Sequence, residues 1–501
     1  MLLLNSQNNN LKKAIIILIF GDEKMAIFSI VKLSELERAK RLDAEYYRPE
    51  YLEVKQKLHQ PRFVYFKSLV KEIIHPKEIR REYKDEKQDY LFLLAQNVRP
   101  LMLDLSKKKY ISEEKAKLMP KNLLEKGDIL FVRTGAVGDC TAYTGKPPKV
   151  VASAHILIAK PNFRISPYYL TVFFNTFYGR SIIIRGTYGA LQPEIAPNYI
   201  KSIPVPIFSK NLITEVEKLF LESQNFLEQS HTLYSQAENL LLEELGLKDF
   251  KPRYEKTYTA KLSDAFFAYR IDAEYFQPAY EEMIEKIRKN NVELQPLRKF
   301  ILNITKGIEP GRKNYRDKGK PFIRVSNLSI YGFTDRDQKY ISEELYQQLR
   351  GTYEPKQGDF LLTKDATPGI AYVVKEQIEG IISSGILKLQ IDESQIDKEY
   401  LALCINSIIG KIQIEREGGG SVIVHWRPDQ IKKLKIPILP LSTQQKIASL
   451  VQESYEARKK AKELLEIAKG AVEIAIEKNE KEALDYIFLK IKANKKCDIN
   501  L

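Results

Sequence analysis

Between Asn211 and Leu245, apolar or small residues recur at Leu212, Val216, Leu219, Ser223, Phe226, Ser230, Leu233, Ala237 and Leu240. Their steps alternate four and three, the heptad spacing of a helix packed along another long helix. Such a helix would span roughly 50 Å at its rise per residue. The same rhythm returns from Ser442 onward, at Ile447, Leu450, Ser454, Ala457, Ala461, Leu464, Ala468, Ala471 and Ala475. Small residues on that seam would let two helix backbones approach closely, and Ser442 with Gln445 has the spacing of a capping box. Two amphipathic helices, each packed on its own domain, fit this pattern as well as a paired coil does.

Between and before these helices the pattern is that of short strands. Tyr90 to Val98, Asp128 to Arg133 and Val150 to Ala159 are rich in β-branched and aromatic residues and bounded by Gly, Pro and Asp. Phe322 to Leu328, Asp359 to Lys364 and Gly380 to Gln390 read alike. Ser166-Pro167 and Asp397 are helix starts with good N-caps. Gly-rich turns (Gly186 to Gly189; Gly418 to Gly420) and a Pro-bounded strand then lead into each long helix.

These parallels reflect a repeat. Arg41-Leu-Asp-Ala-Glu-Tyr46 returns as Arg270-Ile-Asp-Ala-Glu-Tyr275, and Lys109-Tyr-Ile-Ser-Glu-Glu114 as Lys339-Tyr-Ile-Ser-Glu-Glu344. Lys126-Gly-Asp-Ile-Leu-Phe131 matches Gln357-Gly-Asp-Phe-Leu-Leu362, Asn175 and Gly179 match Asn406 and Gly410, and Ile200 to Pro206 matches Ile431 to Pro437. Landmarks kept in order at a nearly constant offset indicate a tandem duplication. The expected fold is α+β: two tandem β-rich domains with a pseudo-twofold internal repeat, joined by two long antiparallel coiled-coil helices. The expected boundaries are a dispensable extension over 1–24 with Met25 opening the folded part, a first domain over 25–210, a central helix over 211–247, a second domain over 248–440, a C-terminal helix over 441–480 and a charged tail over 481–501. The apolar run Ala14 to Phe20 is too short to span a bilayer.

The chain has 501 residues, enough for two or three domains with cores of their own. Its formal charge of +15 and its pI of about 9.2 favour a polyanionic partner, nucleic acid above all. Cys140, Cys404 and Cys497 form no close pair, which suits a reducing cytoplasm. No dinucleotide or phosphate loop is present: Thr134 to Asp139 carries two glycines but reads as a hairpin turn. Five scattered histidines match no metal motif. Asp359 with Lys364 lacks the second carboxylate of a nuclease pattern in its counterpart, Asp128 with Arg133. No catalytic residue and no metal site are expected.

DNA binding needs Lys and Arg for phosphates and planar donors for base edges. In the first copy the candidates are Gln96, Asn97, Arg99, Arg133, Thr134, Tyr188 and Gln192. In the second they are Lys306, Arg312, Lys313, Arg324, Asn327, Lys364, Trp426 and Arg427. Each alone also reads as a solvated charge or a core aromatic; together they fall at equivalent places in the two copies. For docking between the helices the candidates are Leu219, Phe226, Leu233, Leu240, Leu450, Ala457, Leu464 and Ala468.

The tandem architecture, the Arg-Leu/Ile-Asp-Ala-Glu-Tyr segments, the Lys-Gly-Asp-Ile-Leu strand and the long helices after Ile-Pro-Val-Pro and Ile-Pro-Ile-Leu-Pro together resemble the specificity subunit of type I restriction-modification systems, from Met25 to about Lys490. The resemblance implies a non-catalytic cytoplasmic subunit that binds double-stranded DNA through two target-recognition domains, each reading half of a bipartite sequence. It further implies that the helices fix the spacing and dock two modification subunits, with restriction subunits joining them. S-adenosylmethionine, ATP and Mg would belong to those partners, with no cofactor on this chain. Two other readings remain open: the recognition part of a fused methyltransferase or nuclease, and a coiled-coil scaffold whose basic domains bind nothing specific.

Overall fold

A computed structural model describes residues 14–20 and 26–499, apart from 40, 61, 79, 81, 85–86, 190–191, 336 and 419–424. Met25 and most of the second Gly-rich turn lie outside the described residues. The chain forms two units, one made of residues 1–226 and 459–501 and the other of residues 227–458.

In the first unit a four-stranded antiparallel sheet runs in the order Cys140–Ala142, Ile129–Val132, Ile156–Pro161, Val70–Ile74. Its side chains alternate between two cores. Ile129, Phe131, Leu157 and Ala159 face the helices, while Leu130, Val132, Ile156 and Ile158 face a smaller sheet. Burial on both faces explains why these strands read as continuous apolar runs. The smaller sheet sets Tyr90–Leu93 between a parallel strand, Val150–Ala152, and an antiparallel one, Tyr110–Ile111.

The second unit repeats this plan strand for strand. Its large sheet is Ala371–Val373, Phe360–Thr363, Ile386–Ile391, Ile301–Lys306, and its small one is Ile381–Ile382, Lys320–Ile323, Lys339–Ile341. The letters shared by the copies hold this plan. Asn175 and Asn406 each donate from Nδ2 at 2.8 Å to an edge strand, at the carbonyls of Cys140 and Ala371. Tyr169 and Tyr400 donate to the carbonyls of Pro206 and Pro437 at 2.7 and 2.8 Å. Asp128 and Asp359 accept from Glu125 N and Lys356 N, closing the turn before each central strand. Ser166 and Asp397 cap their helices through the second and third backbone amides, as expected from sequence.

Long helices occupy Lys210–Glu244 and Leu441–Glu477. Each contributes to both cores: Leu212, Val216 and Phe220 with Leu464, Ala468 and Val472 in the first unit, and Tyr234, Ala237 and Leu241 with Ile447 in the second. Within the second unit Ser230 and Ser454 meet, Ser454 Oγ donating to the Ser230 carbonyl at 2.7 Å. Positions rising on one helix thus face positions falling on the other, an antiparallel pairing.

Two expectations need correction, and two further segments carry structure that the sequence reading left undescribed. First, the period differs. Beside the buried Ile213 and Phe220, one buried stripe along the central helix and into the turn after it runs through Leu212, Val216, Leu219, Ser223, Leu227, Ser230, Tyr234, Ala237, Leu241 and Leu245. Their mean step is about 3.7 residues, close to an eleven-residue repeat and not the heptad. Phe226, Leu233 and Leu240 are consequently only half-buried. Leu219, Ala457, Leu464 and Ala468 are buried and Leu450 is half-buried. Second, Ser442 caps nothing. The second long helix begins at Leu441, the expected boundary, with Thr443 N and Gln444 N donating to the Pro440 carbonyl, so Ser442 lies within the first turn, whose buried residue is Gln444, its Oε1 accepting from Asp397 N at 3.0 Å. Third, the charged tail is a helix, Glu480–Ile499, that buries Ala483 and Ile487 in the first core. Fourth, Ala14–Phe20, inside the supposed extension, pairs antiparallel with Ala26–Lys32. Its β-branched run provides the strand propensity.

Candidate nucleic-acid interface

At one end of each unit's sheets, three connections converge: the turn after the middle strand of the small sheet, the hairpin turn between two strands of the large sheet, and the turn that enters its neighbouring strand. Backbone hydrogen bonds align the two copies here. Arg133 N donates to the His155 carbonyl at 2.8 Å and Lys364 N to the Gly385 carbonyl at 2.9 Å, so Arg133 corresponds to Lys364 and His155 to Gly385. Ile195 N and Trp426 N donate to the Arg133 and Lys364 carbonyls, so Glu194 corresponds to His425. The strand registers likewise match His75 to Lys306. Gly135 and Gly138 hold φ of +89° and +93°, a left-handed backbone that glycine adopts without strain and that the hairpin turn requires.

In the first unit Arg133 lies at the centre. It donates to Glu194 Oε2 at 2.6 Å and contacts His75 Nε2 at 3.0 Å, which makes that nitrogen the acceptor. Thr134, buried, meets His155 Nδ1 at 2.7 Å, and the half-exposed Tyr188 donates to Glu194 at 3.3 Å. Gln192 is exposed and Gln96 half-buried beside this cluster. Arg99 lies 3.9 Å from Asp139, whose other oxygen accepts from Arg180 at 2.9 Å.

The second unit arranges different groups on the same frame. Lys364 Nζ donates to Asp365 Oδ2 at 2.6 Å, and Asp365 Oδ1 is 2.8 Å from His425 Nδ1. Burial alone would raise the Asp365 pKa, but the bonds from Lys364 and His425 outweigh it and hold the carboxyl below its ordinary range. Arg324, Ser326, Asp365, Thr367 and Ser384 line one open concavity. Lys306, at the end of its strand, and Arg312 and Lys313, on the loop that follows, are exposed. Arg427 is exposed and lies 3.4 Å from Asp429.

Three candidates serve the scaffold instead. Asn97 is buried, accepting from Leu94 N at 2.9 Å and donating to the Asp104 and Lys107 carbonyls. Asn327 does the same for Arg324 N and Thr334 O. Each amide closes a one-turn 3-10 helix, and a buried amide so engaged cannot reach a base edge. Trp426 is a core residue, 2% exposed. The first unit's cluster also includes His75, His155 and Glu194, and the second unit's Asp365 and His425, none of which sequence reasoning singled out as DNA-facing. Aligning them through the repeat would have brought out His75 opposite Lys306 and Glu194 opposite His425.

Among the described residues no group of His, Cys, Asp and Glu is suited to a metal ion, and no helix is long and apolar enough to cross a membrane. The family profile of the type I restriction modification DNA specificity domain matches residues 301–469. That stretch carries most of the second unit, and the first unit repeats its strands one for one. By this match, residues 301–469 form a type I restriction modification DNA specificity domain.

A relative in Methanocaldococcus jannaschii, named for the MjaX type I restriction enzyme specificity subunit, is 22% identical over 80% of this chain and 89% of its own length. One from Haemophilus influenzae, named for a type I restriction enzyme specificity subunit, is 31% identical over 26% of this chain and 32% of its own. Among solved structures, the type I S subunit of M. genitalium is 11% identical with a TM-score of 0.36, covering 85% of this chain and 96% of that one. The HsdS subunit of Thermoanaerobacter tengcongensis is 13% identical with a TM-score of 0.26, covering 83% and 97%. The two loop clusters contrast: the frame is kept from copy to copy and the groups displayed on it are not.

Proposed function

We propose that this chain is the DNA-sequence-specificity subunit of a type I restriction-modification complex, and that each unit reads one half of a bipartite target. One observation carries the reading. Two units with the same strand order, the second matching the specificity-domain profile, display different polar groups at the same loop positions. Equal frames with unequal displays suit two unequal half-sites. The exposed Lys306, Arg312 and Lys313 supply phosphate contacts, and the excess positive charge of the chain supports them. The long helices, which enter both cores, would fix the spacer and dock two modification subunits. Those partners would hold S-adenosylmethionine and methylate adenine, and restriction subunits would add ATP- and Mg-dependent cleavage; this chain would need no cofactor.

Methylome sequencing tests this directly. A host co-expressing the chain with the methyltransferase of its own locus should carry N6-methyladenine at one bipartite motif, absent from a host with the methyltransferase alone. Soluble, co-purifying partners that leave no new motif would refute the reading. Methyl transfer by the purified chain alone would instead favour a fused enzyme.

A further inference from the structure

We infer that the second unit reads a guanine through Arg324 and an exocyclic base amine through Asp365, and that the first unit has neither reader at the two equivalent positions. This rests on the specificity-subunit reading and adds to it which base chemistry each half presents.

The two positions are fixed by the repeat. Arg324 N donates to Asn327 Oδ1 as Leu94 N donates to Asn97 Oδ1, so the counterpart of Arg324 is Leu94. The residue after Lys364 is Asp365, and the residue after Arg133 is Thr134; each makes a bridge with its partner, His425 or Glu194. The comparison therefore sets Arg and Asp against Leu and Thr at two places on one frame. In the second unit both side chains line the same concavity.

Charge decides what Asp365 can do there. A bare carboxylate would be repelled by the phosphates of DNA. This one is compensated by Lys364 at 2.6 Å, and His425 engages its other oxygen at 2.8 Å. An ionised carboxylate has about four lone-pair sites, so after these two contacts it remains an acceptor without adding net negative charge. Acceptors of that kind suit the N4 amine of cytosine or the N6 amine of adenine. Arg324 supplies the complementary chemistry. Its Nη2 donates to the Asp337 carbonyl, which orients the guanidinium, and its Nε is enclosed without a hydrogen-bond partner. A planar fork held in this way suits the O6 and N7 acceptors of guanine.

The neighbours differ in step with the readers. In the first unit Thr134 is bonded to His155. The position of His155 is Gly385 in the second unit, where an added Cβ would lie 2.7 Å from Val325 Cγ2 and 3.5 Å from Asp365 Cβ. An imidazole has no room at that place, and in the second unit it arrives from His425 instead. The hydroxyl of Thr134 both donates and accepts, so it does not select an amine, and Leu94 offers only apolar contact, suited to a thymine methyl.

The test is methylome sequencing of the full chain co-expressed with its methyltransferase, as wild type, Arg324→Leu and Asp365→Thr. Each variant installs the residue that the first unit already folds with. Arg324→Leu should weaken selection for one guanine by roughly 5- to 150-fold, and Asp365→Thr should do the same at one cytosine or adenine. Both changes should fall in the same half of the motif, with the other half unaltered. If methylation vanishes altogether, Leu94→Arg decides: a new guanine preference in the opposite half supports the assignment, and none overturns it. An unchanged motif in both variants, or loosening spread equally over both halves, also overturns it. A wild-type chain that yields no bipartite motif removes the specificity reading itself, which separates the two failures.

Discussion

Replacing Gly179 with Ala should destabilise the protein, although alanine is the better helix former. Gly179 lies in the helix Phe177–Arg185, where the exchange would ordinarily gain about 0.5–1 kcal/mol. Here an added Cβ would stand 2.1 Å from the carbonyl oxygen of Phe173 and 2.7 Å from Phe174 Cα, both backbone atoms of the preceding helix. Backbone cannot swing aside as a side-chain tip can, so the two helices must separate around the buried Asn175 and Thr176. Because the approach is well under 3 Å and to backbone, the overpacking cost falls in the upper part of its range, about 2–3 kcal/mol, and after a propensity gain of about 1 kcal/mol it leaves a net loss of about 1–2 kcal/mol. In a unit of this size each kcal/mol moves the melting temperature by about 2–4 °C, so a fall of about 2–8 °C is expected by calorimetry. Gly410→Ala should behave alike, because its Cβ would meet the Ile405 carbonyl at 2.0 Å. Gly351→Ala is the control: that helical glycine has nothing within 4 Å, and the same substitution should raise the melting temperature. Stabilisation by Gly179→Ala and Gly410→Ala equal to that by Gly351→Ala would refute the argument.

Ala468→Glu should cost about 3–5 kcal/mol by burying an unpaired charge at a fully enclosed position; an unchanged melt and normal assembly on gel filtration would exclude that seam. Asp272, held below its ordinary pKa first by the hydrogen bond from Arg270, should add stability that is present above its unfolded pKa and lost as pH falls through its folded one. Melts between about pH 5 and 3 should therefore fall less steeply for Asp272→Asn than for wild type. Tyr169→Phe should cost about 1–3 kcal/mol, because it leaves the buried Pro206 carbonyl without its donor; a loss below 0.5 kcal/mol in denaturant titration, taken as roughly the floor of a single hydrogen bond, would contradict this.

The repeat was legible in the sequence because its recurring letters are those with fixed structural duties. Asn175 and Asn406 tie helices to edge strands, Gly179 and Gly410 permit close approach, and Asp128 and Asp359 close turns. The DNA-facing candidates were harder to read. Asn97 and Asn327 recur at equivalent positions for the same scaffold reason, and their polarity alone could not reveal that every bond was spent inward. The terminal helix was hidden by its mixed pattern: Ala483 and Ile487 are buried with Leu484, Tyr486 and Ile491 packed beside them, while Phe488 and Leu489 are exposed among its Lys and Glu residues. A heptad and an eleven-residue period differ by one position every few turns, so Phe226 and Leu227 were equally apolar choices until packing selected one. Loop clusters such as Arg133 with Glu194 join residues far apart in the chain, and no local pattern encodes that meeting.

The first unit is interrupted in sequence: it takes residues 1–226 and then 459–501, while the second is continuous. On the ribosome, then, the first unit waits. Leu212, Val216 and Phe220 emerge long before Leu464, Ala468 and Val472, which complete their core. At roughly 5–20 residues per second the gap is about 10–50 s. Throughout that interval the second unit can close while the first presents an unfinished apolar face. A stop codon shortly after residue 458 would thus spare the second unit and leave the earlier-made one incomplete. Damage from late truncation falls on the oldest part of the chain.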